Sequence, residues 1–121
     1  DMTGSIEMLK YWLFEKNIAT AVIAEIKDQI IGYSIYYPIF SSFATNVNVH
    51  IEDLFIKLEY RGQGYGKEFF YKLSEMIKKE GYLKLEWSCL NWNASSIKFY
   101  EKIGAIQETG RFYFEYKLKN D

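Results

Sequence analysis

One cysteine, one histidine and one proline are all the chain carries of three residue types that advertise chemistry or break structure. The lone Cys89 has no partner for an internal disulfide, and neither a signal-peptide pattern nor an apolar run of about 18 residues occurs, which points to a reducing cytoplasm and no membrane partner. With His50 the single histidine, no Cys/His cluster offers a metal site, so no metal is expected. Fifteen basic and sixteen acidic residues leave a net charge of −1, which lacks the basic footprint of a nucleic-acid binder. No repeat, low-complexity tract or linker interrupts the 121 residues, so the chain is read as one domain with one core. Aromatic residues are abundant, with eleven Tyr, nine Phe and three Trp, and are read as packing area.

Patterning then sets out the elements. Ser5 is placed to cap a helix reaching Lys16, with Ile6, Leu9 and Leu13 on one face and Trp12 beside them. Residues 19–26 read as a strand, Lys27-Asp28-Gln29 as a hairpin turn and 30–39 as the return strand, with regular pairing expected to fail near Pro38. A loop over 40–46 leads to a third strand over 47–57. From Gly66 to about Glu80, Phe69, Phe70, Leu73, Met76 and Ile77 recur at helical spacing, and Gly81 ends the run. Residues 83–90 alternate, placing Leu83, Leu85, Trp87 and Cys89 on one side, as in a strand parallel to the third: a βαβ unit. Cys89 is read as a small core residue and His50 as a strand-surface residue. A short helix over 94–103 with Gly104 at its end precedes a last alternating strand, Phe112, Phe114, Tyr116 and Leu118 against Tyr113, Glu115 and Lys117. The fold class is therefore α/β with a mixed sheet.

Glycines concentrate where the third strand meets the long helix, at Gly62, Gly64 and Gly66. Strand, glycine turn and helix start make an anion cradle, because the first helical N–H groups lack acceptors and glycine lets backbone approach a ligand closely. A Walker loop fails, since Arg61 falls on its first glycine and Glu68 on its hydroxyl; a Rossmann turn fails, since its last glycine falls on Lys67 or Phe69. An ordinary glycine-rich turn is the bland alternative.

The stretch Arg61-Gly62-Gln63-Gly64-Tyr65-Gly66 resembles the R/Q-x-x-G-x-G/A loop of the GNAT superfamily of acetyl-CoA-dependent N-acyltransferases. Residues 92–105, from Trp92-Asn93 through Ser96, Ile97 and Phe99-Tyr100 to Gly104-Ala105, are similar to that family's W-N-x-x-x-I-x-F-Y-x-x-x-G-A segment. Ile51-Glu52-Asp53 stands where the spermidine/spermine (diamine) acetyltransferase-like branch carries Leu-Glu-Asp. The resemblance covers about residues 5 to 118. Relatives carry a further strand and helix ahead of the first helix, so a single GNAT domain incomplete at its N-terminus is expected, with an exposed sheet edge over residues 20–26.

What the resemblance implies is direct acetyl transfer from acetyl-CoA to a primary amine in a ternary complex. An alkylammonium is neutral only about once in 2,500 molecules at pH 7, a handicap of about 4.6 kcal/mol, so a base is required. By resemblance that base is Glu52, which also binds the substrate cation; on a regular strand Asp53 points to the opposite face, although it too is a candidate for reading the cation. A solvated strand carboxylate is the alternative for Glu52. The oxyanion donor is a backbone N–H near Phe55 or Ile56. Tyr100 occupies the general-acid position, although its spacing with Ile97 and Ile103 also suits helix core. Cofactor contacts fall on Leu54, Phe55 and Ile56 for the pantetheine, and on Arg61, Gly62, Gln63, Gly64, Tyr65, Gly66 and Lys67 for the pyrophosphate, with Asn93, Ser96 and Tyr100 beyond; Asn93 also suits a plain helix cap.

Polyamine-acting relatives hold the distal ammonium with an aspartate where Phe40-Ser41-Ser42-Phe43 has serine, as do branch members resembling thialysine or other amino-acid acetyltransferases. A small-molecule diamine, polyamine or thialysine-like amino acid is the expected acceptor, with a peptide or protein N-terminus as the runner-up. A CoA-binding module without turnover is the alternative class. The aromatic last strand suggests a homodimer, and a buried core face accounts for it equally.

Overall fold

The computed structural model describes residues 5–42 and 45–118. The chain divides into two compact units, Asp1–Ser88 and Cys89–Asp121.

The first unit opens as expected. Ser5 accepts from the Met8 N–H at 3.1 Å and caps α1, Ile6–Lys10, which continues as a wider π turn, Tyr11–Glu15. Of the apolar face only Leu13 is buried; Ile6, Leu9 and Trp12 are exposed. Strands β1 (Thr20–Ile26) and β2 (Gln29–Ser41) join through a two-residue turn in which Lys27 and Asp28 take φ of 49° and 66°. Positive φ at both positions matches the twist of the strands it joins.

Strand β2 pairs with β3, Asn46–Ile56, and runs on through Pro38, which stays in register opposite Val49. The expected break does not occur because β1 ends opposite Tyr36, so beyond that point β2 has a free edge where a missing N–H costs little. The connection is correspondingly shorter than the expected 40–46 loop: Ser41 already pairs with Asn46, and Phe43 lies outside the described residues. The irregularity falls elsewhere. Ile35 opposes Asp53 while Tyr36 opposes Ile51, leaving Glu52 as an extra residue, a β-bulge.

After a short 3-10 turn, Leu58–Tyr60, and the glycine loop comes α2, Tyr65–Lys79, then β4, Leu85–Glu86, parallel to β3. The sheet order is β1-β2-β3-β4, so β1 is an edge as expected and β3-α2-β4 is the anticipated βαβ unit. Leu73 and Ile77, one helical turn apart, close the core against Tyr36, Val49 and Ile51, with Leu54, Phe70, Leu85 and Trp87 packed around them. Each such side chain contributes about 1.5–3 kcal/mol on burial. Gly32 has no room for a Cβ, which would strike the Phe55 carbonyl oxygen.

Two alternating stretches do not become the strands they suggest. Of residues 83–90 only Leu85 and Glu86 pair; Leu83 and Leu90 are exposed, and Cys89 is exposed rather than in the core. The second unit holds α3, Ala94–Lys102, but Phe112, Phe114, Tyr116 and Leu118 lie in no strand and are 86–94% exposed. Alternation supplies only propensity, and a strand persists only where a neighbour takes its N–H and C=O groups. Among the described residues no helix is long and apolar enough to cross a membrane.

Candidate active site

The bulge at Glu52 decides which side chains share a face. Val49, Ile51 and Leu54 pack toward α2, so the extra residue leaves both Glu52 and Asp53 on the other face, with His50 and Phe55. Regular alternation would separate the two carboxylates; the bulge cancels it. Burial, and then the neighbouring Glu52 charge, raise the Asp53 carboxyl above the usual carboxylate range. On the same face Tyr33 stacks at a tilt on Phe55, 5.4 Å between centroids, and its phenol is raised by burial and by Asp53.

His50 differs from its reading as a strand-surface residue. Its side chain is only 17% exposed, lies 5.0 Å from the Tyr37 ring, and has Nε2 3.5 Å from Glu52 Oε1 and Nδ1 4.0 Å from Glu86 Oε1. The His50/Glu52 spacing was a signal available in the sequence; Glu86 needed the parallel register, which sets it opposite His50.

Among the described residues β4 pairs with β3 only at Val49 and His50, so from the bulge onward β3 has no strand partner on that side. Lys57 donates to Ile31 across the β2 ladder at 2.7 Å. Alternation then turns Phe55 toward β2, and Leu54 and Ile56 toward the open side. The Ile56 carbonyl confirms this direction, since it accepts from Arg61 Nε at 2.7 Å, away from β2. Of the two expected oxyanion donors, the Ile56 N–H is thus the one that faces outward.

Arg61 is held by that bond and by its guanidinium over the Phe55 ring, 5.2 Å to the centroid, which anchors the glycine loop to the end of β3. Gln63 is tied back to the Glu59 carbonyl at 3.2 Å. Gly62 and Gly64 take φ of 76° and 87°, and a Cβ at either would meet nothing within 4 Å. Space is therefore not what requires glycine here; the left-handed backbone is, together with access for a ligand. Gly64 is also the N-cap of the fifteen-residue α2 and makes no side-chain cap bond, which leaves the first N–H groups, from Tyr65, Gly66 and Lys67, directed out of the helix end.

In the second unit Asn93 caps α3, its Oδ1 accepting from the Ser96 N–H at 3.2 Å and lying 3.3 Å from Ser95 Oγ. Gly104, at φ 91°, ends the helix: it donates to Glu101, and Ala105 donates to the Tyr100 carbonyl at 3.0 Å, a Schellman closure. The motif from Asn93 to Ala105 is thus one capped helix holding Tyr100 in place. Burial, and then the Cys89 sulfur, raise the Tyr100 phenol, with a Ser96 hydrogen bond opposing them, so it keeps its proton at neutral pH. Among the described residues no group of three or more His, Cys, Asp and Glu is arranged to hold a metal.

A carboxylate pair, an outward strand N–H and a glycine loop at a helix start follow one another along β3 and into α2. Residues 2–105 match the acetyltransferase (GNAT) family model, and the chain belongs to that family. It is 36% identical over 76 residues to the thialysine N-epsilon-acetyltransferase of Sus scrofa, covering 63% of this chain and 44% of that one. Over 76 residues it is 33% identical to the L-ornithine N5-acetyltransferase of Arabidopsis thaliana, covering 63% of this chain and 33% of that one. The match spans less than half the length of these relatives. In fold it is similar to an integron cassette protein from the mobile metagenome of V. cholerae, with a TM-score of 0.79 and 23% identity over 92% of this chain and 71% of that one.

Proposed function

We propose that this protein transfers an acetyl group from acetyl-CoA to a primary amine of a small molecule, in a ternary complex with no acyl-enzyme. The observation that carries the proposal is the end of β3: the bulge sets Glu52 and Asp53 on one face just before the strand opens and the glycine loop begins. Glu52 takes the proton of the bound ammonium, directly or through a water, and Asp53 adds to the field that holds the cation. The Ile56 N–H meets the charge that develops on the carbonyl oxygen. Tyr100 donates its proton to the departing thiolate.

Acetyl-CoA fits the residues present. The left-handed Gly62 and Gly64, open to solvent at the start of α2, with Arg61, Gln63, Tyr65, Gly66 and Lys67, suit a pyrophosphate. Leu54, Phe55 and Ile56 suit the pantetheine amides, and Asn93, with its Oδ1 engaged in the cap, retains an amide group for the same arm, beside Ser96. The relatives' names place transfer on a side-chain amine, N-epsilon in one and N5 in the other, which favours an amino-acid or diamine acceptor. A cytoplasmic homodimer belongs to the same proposal: the exposed Cys89 thiol suits a reducing compartment, and a second copy would cover Phe112, Phe114, Tyr116 and Leu118.

The test is thiol release from acetyl-CoA with thialysine, ornithine, lysine, putrescine, spermidine and an α-amino peptide. Release with a small amine that falls about 100-fold in Tyr100→Phe, with acetyl-CoA affinity kept, is the expected result. Release with the peptide alone would replace the small amine by a peptide or protein acceptor; acetyl-CoA binding with no release would leave a non-catalytic binding module.

A further inference from the structure

His50 is a mostly covered titratable group for which the proposed chemistry above has no use. The groups facing its ring are Glu52 from its own strand, Glu86 from β4 and Tyr37 from β2, with the Asp53 charge beside Glu52. Its Nδ1 is fully buried and makes no hydrogen bond, and the nearest carboxylate to it is Glu86 at 4.0 Å. A buried lone pair aimed at a carboxylate is repelled, whereas a buried N–H aimed at one is attracted. Glu86 therefore selects the neutral tautomer with its hydrogen on Nδ1, as an outer carboxylate orients a histidine elsewhere in protein chemistry.

That tautomer leaves the Nε2 lone pair facing Glu52. Their separation of 3.5 Å is long for a charge-assisted hydrogen bond, which spans about 2.7–2.9 Å, and suits two acceptors waiting for a shared proton. The geometry points to Glu86, His50 and Glu52 forming a proton relay in which His50 is a positioning residue that resets the base. The ammonium N–H bond breaks and an O–H bond forms on Glu52. That O–H bond then breaks as an N–H bond forms on His50 Nε2, giving an imidazolium between two carboxylates and returning Glu52 to its ionised form. The imidazolium then releases the proton to solvent, to which the His50 side chain is 17% exposed.

This relay rests on Glu52 being the base, so three variants are compared across pH 6 to about 10 by thiol release with saturating acetyl-CoA and the best amine of the panel. His50→Gln is expected to lower kcat/KM about tenfold near neutrality, with the loss closing toward alkaline pH, where the amine reaches the site already neutral. Glu86→Gln, which keeps the shape of the side chain, is expected to show the same pH-dependent loss at smaller size, and it carries the test should His50→Gln fold poorly. A loss of the same factor at every pH in both variants, or none in either, overturns the relay. Glu52→Gln separates the two readings: a strong loss there with pH-independent behaviour in the others overturns the relay alone, and wild-type activity in Glu52→Gln overturns the base itself.

Discussion

Strand β3 behaves as two strands laid end to end. Through Ile51 it is sandwiched, paired with β2 on one side and reached by β4 on the other, and its inward side chains Val49 and Ile51 are 1% and 4% exposed. Past the bulge it is paired, among the described residues, on one side only; its carboxylates and Phe55 stay accessible and its outward N–H groups meet no described strand. The first half supplies rigidity and the second carries the groups of the proposed site. A site built directly onto a fully packed strand inherits its precision without having to be buried itself.

Substitution can break this contrast. Ile51→Ala in the packed half should cost about 2–5 kcal/mol of stability, against about 1 kcal/mol or less for Phe55→Ala in the open half, read by urea unfolding. Equal losses would mean that the two halves are packed alike. Gly64→Ala, just past the open half, forces a Cβ into φ 87° at a cost of about 1–2 kcal/mol, and should raise KM for acetyl-CoA about tenfold while leaving KM for the amine near its original value. An unchanged KM for acetyl-CoA would remove the loop from the donor site. The smallest effect concerns Asp53. Because burial and Glu52 raise its carboxyl, the folded chain holds that proton more tightly than the unfolded chain does, which favours folding below the ordinary carboxylate range and opposes it as pH rises through the raised value. Asp53→Asn should therefore raise Tm slightly at pH 7, with the gain fading as pH falls toward about 4. A lower Tm at pH 7 would show that the carboxylate is needed more than it is strained.

Much of the local structure around the candidate site was legible because its signals are local. Gly62, Gly64 and Gly104 stand where the backbone takes positive φ, Ser5 and Asn93 cap the helices they precede, and Leu73 and Ile77 fall on the buried face that their spacing announced. The alternating stretches say less about the fold. Residues 83–90 and 112–118 carry the same period-two pattern, yet two residues of the first pair and none of the second. A pattern of side chains states what a strand would bury and leaves open whether a neighbour is there to take its backbone bonds.

The amino-acid sequence by itself determined the capped helices, the left-handed glycine loop between strand and helix, and the family motifs, since each depends on residues within a turn or two of one another. Tertiary structure decided that Glu52 and Asp53 share a face, that Ile56 turns its N–H outward, and that His50 lies between two carboxylates. Those outcomes hang on one extra residue in the β2–β3 register and on where β4 stops pairing. Register is a relation between distant segments, and it is set when they pack.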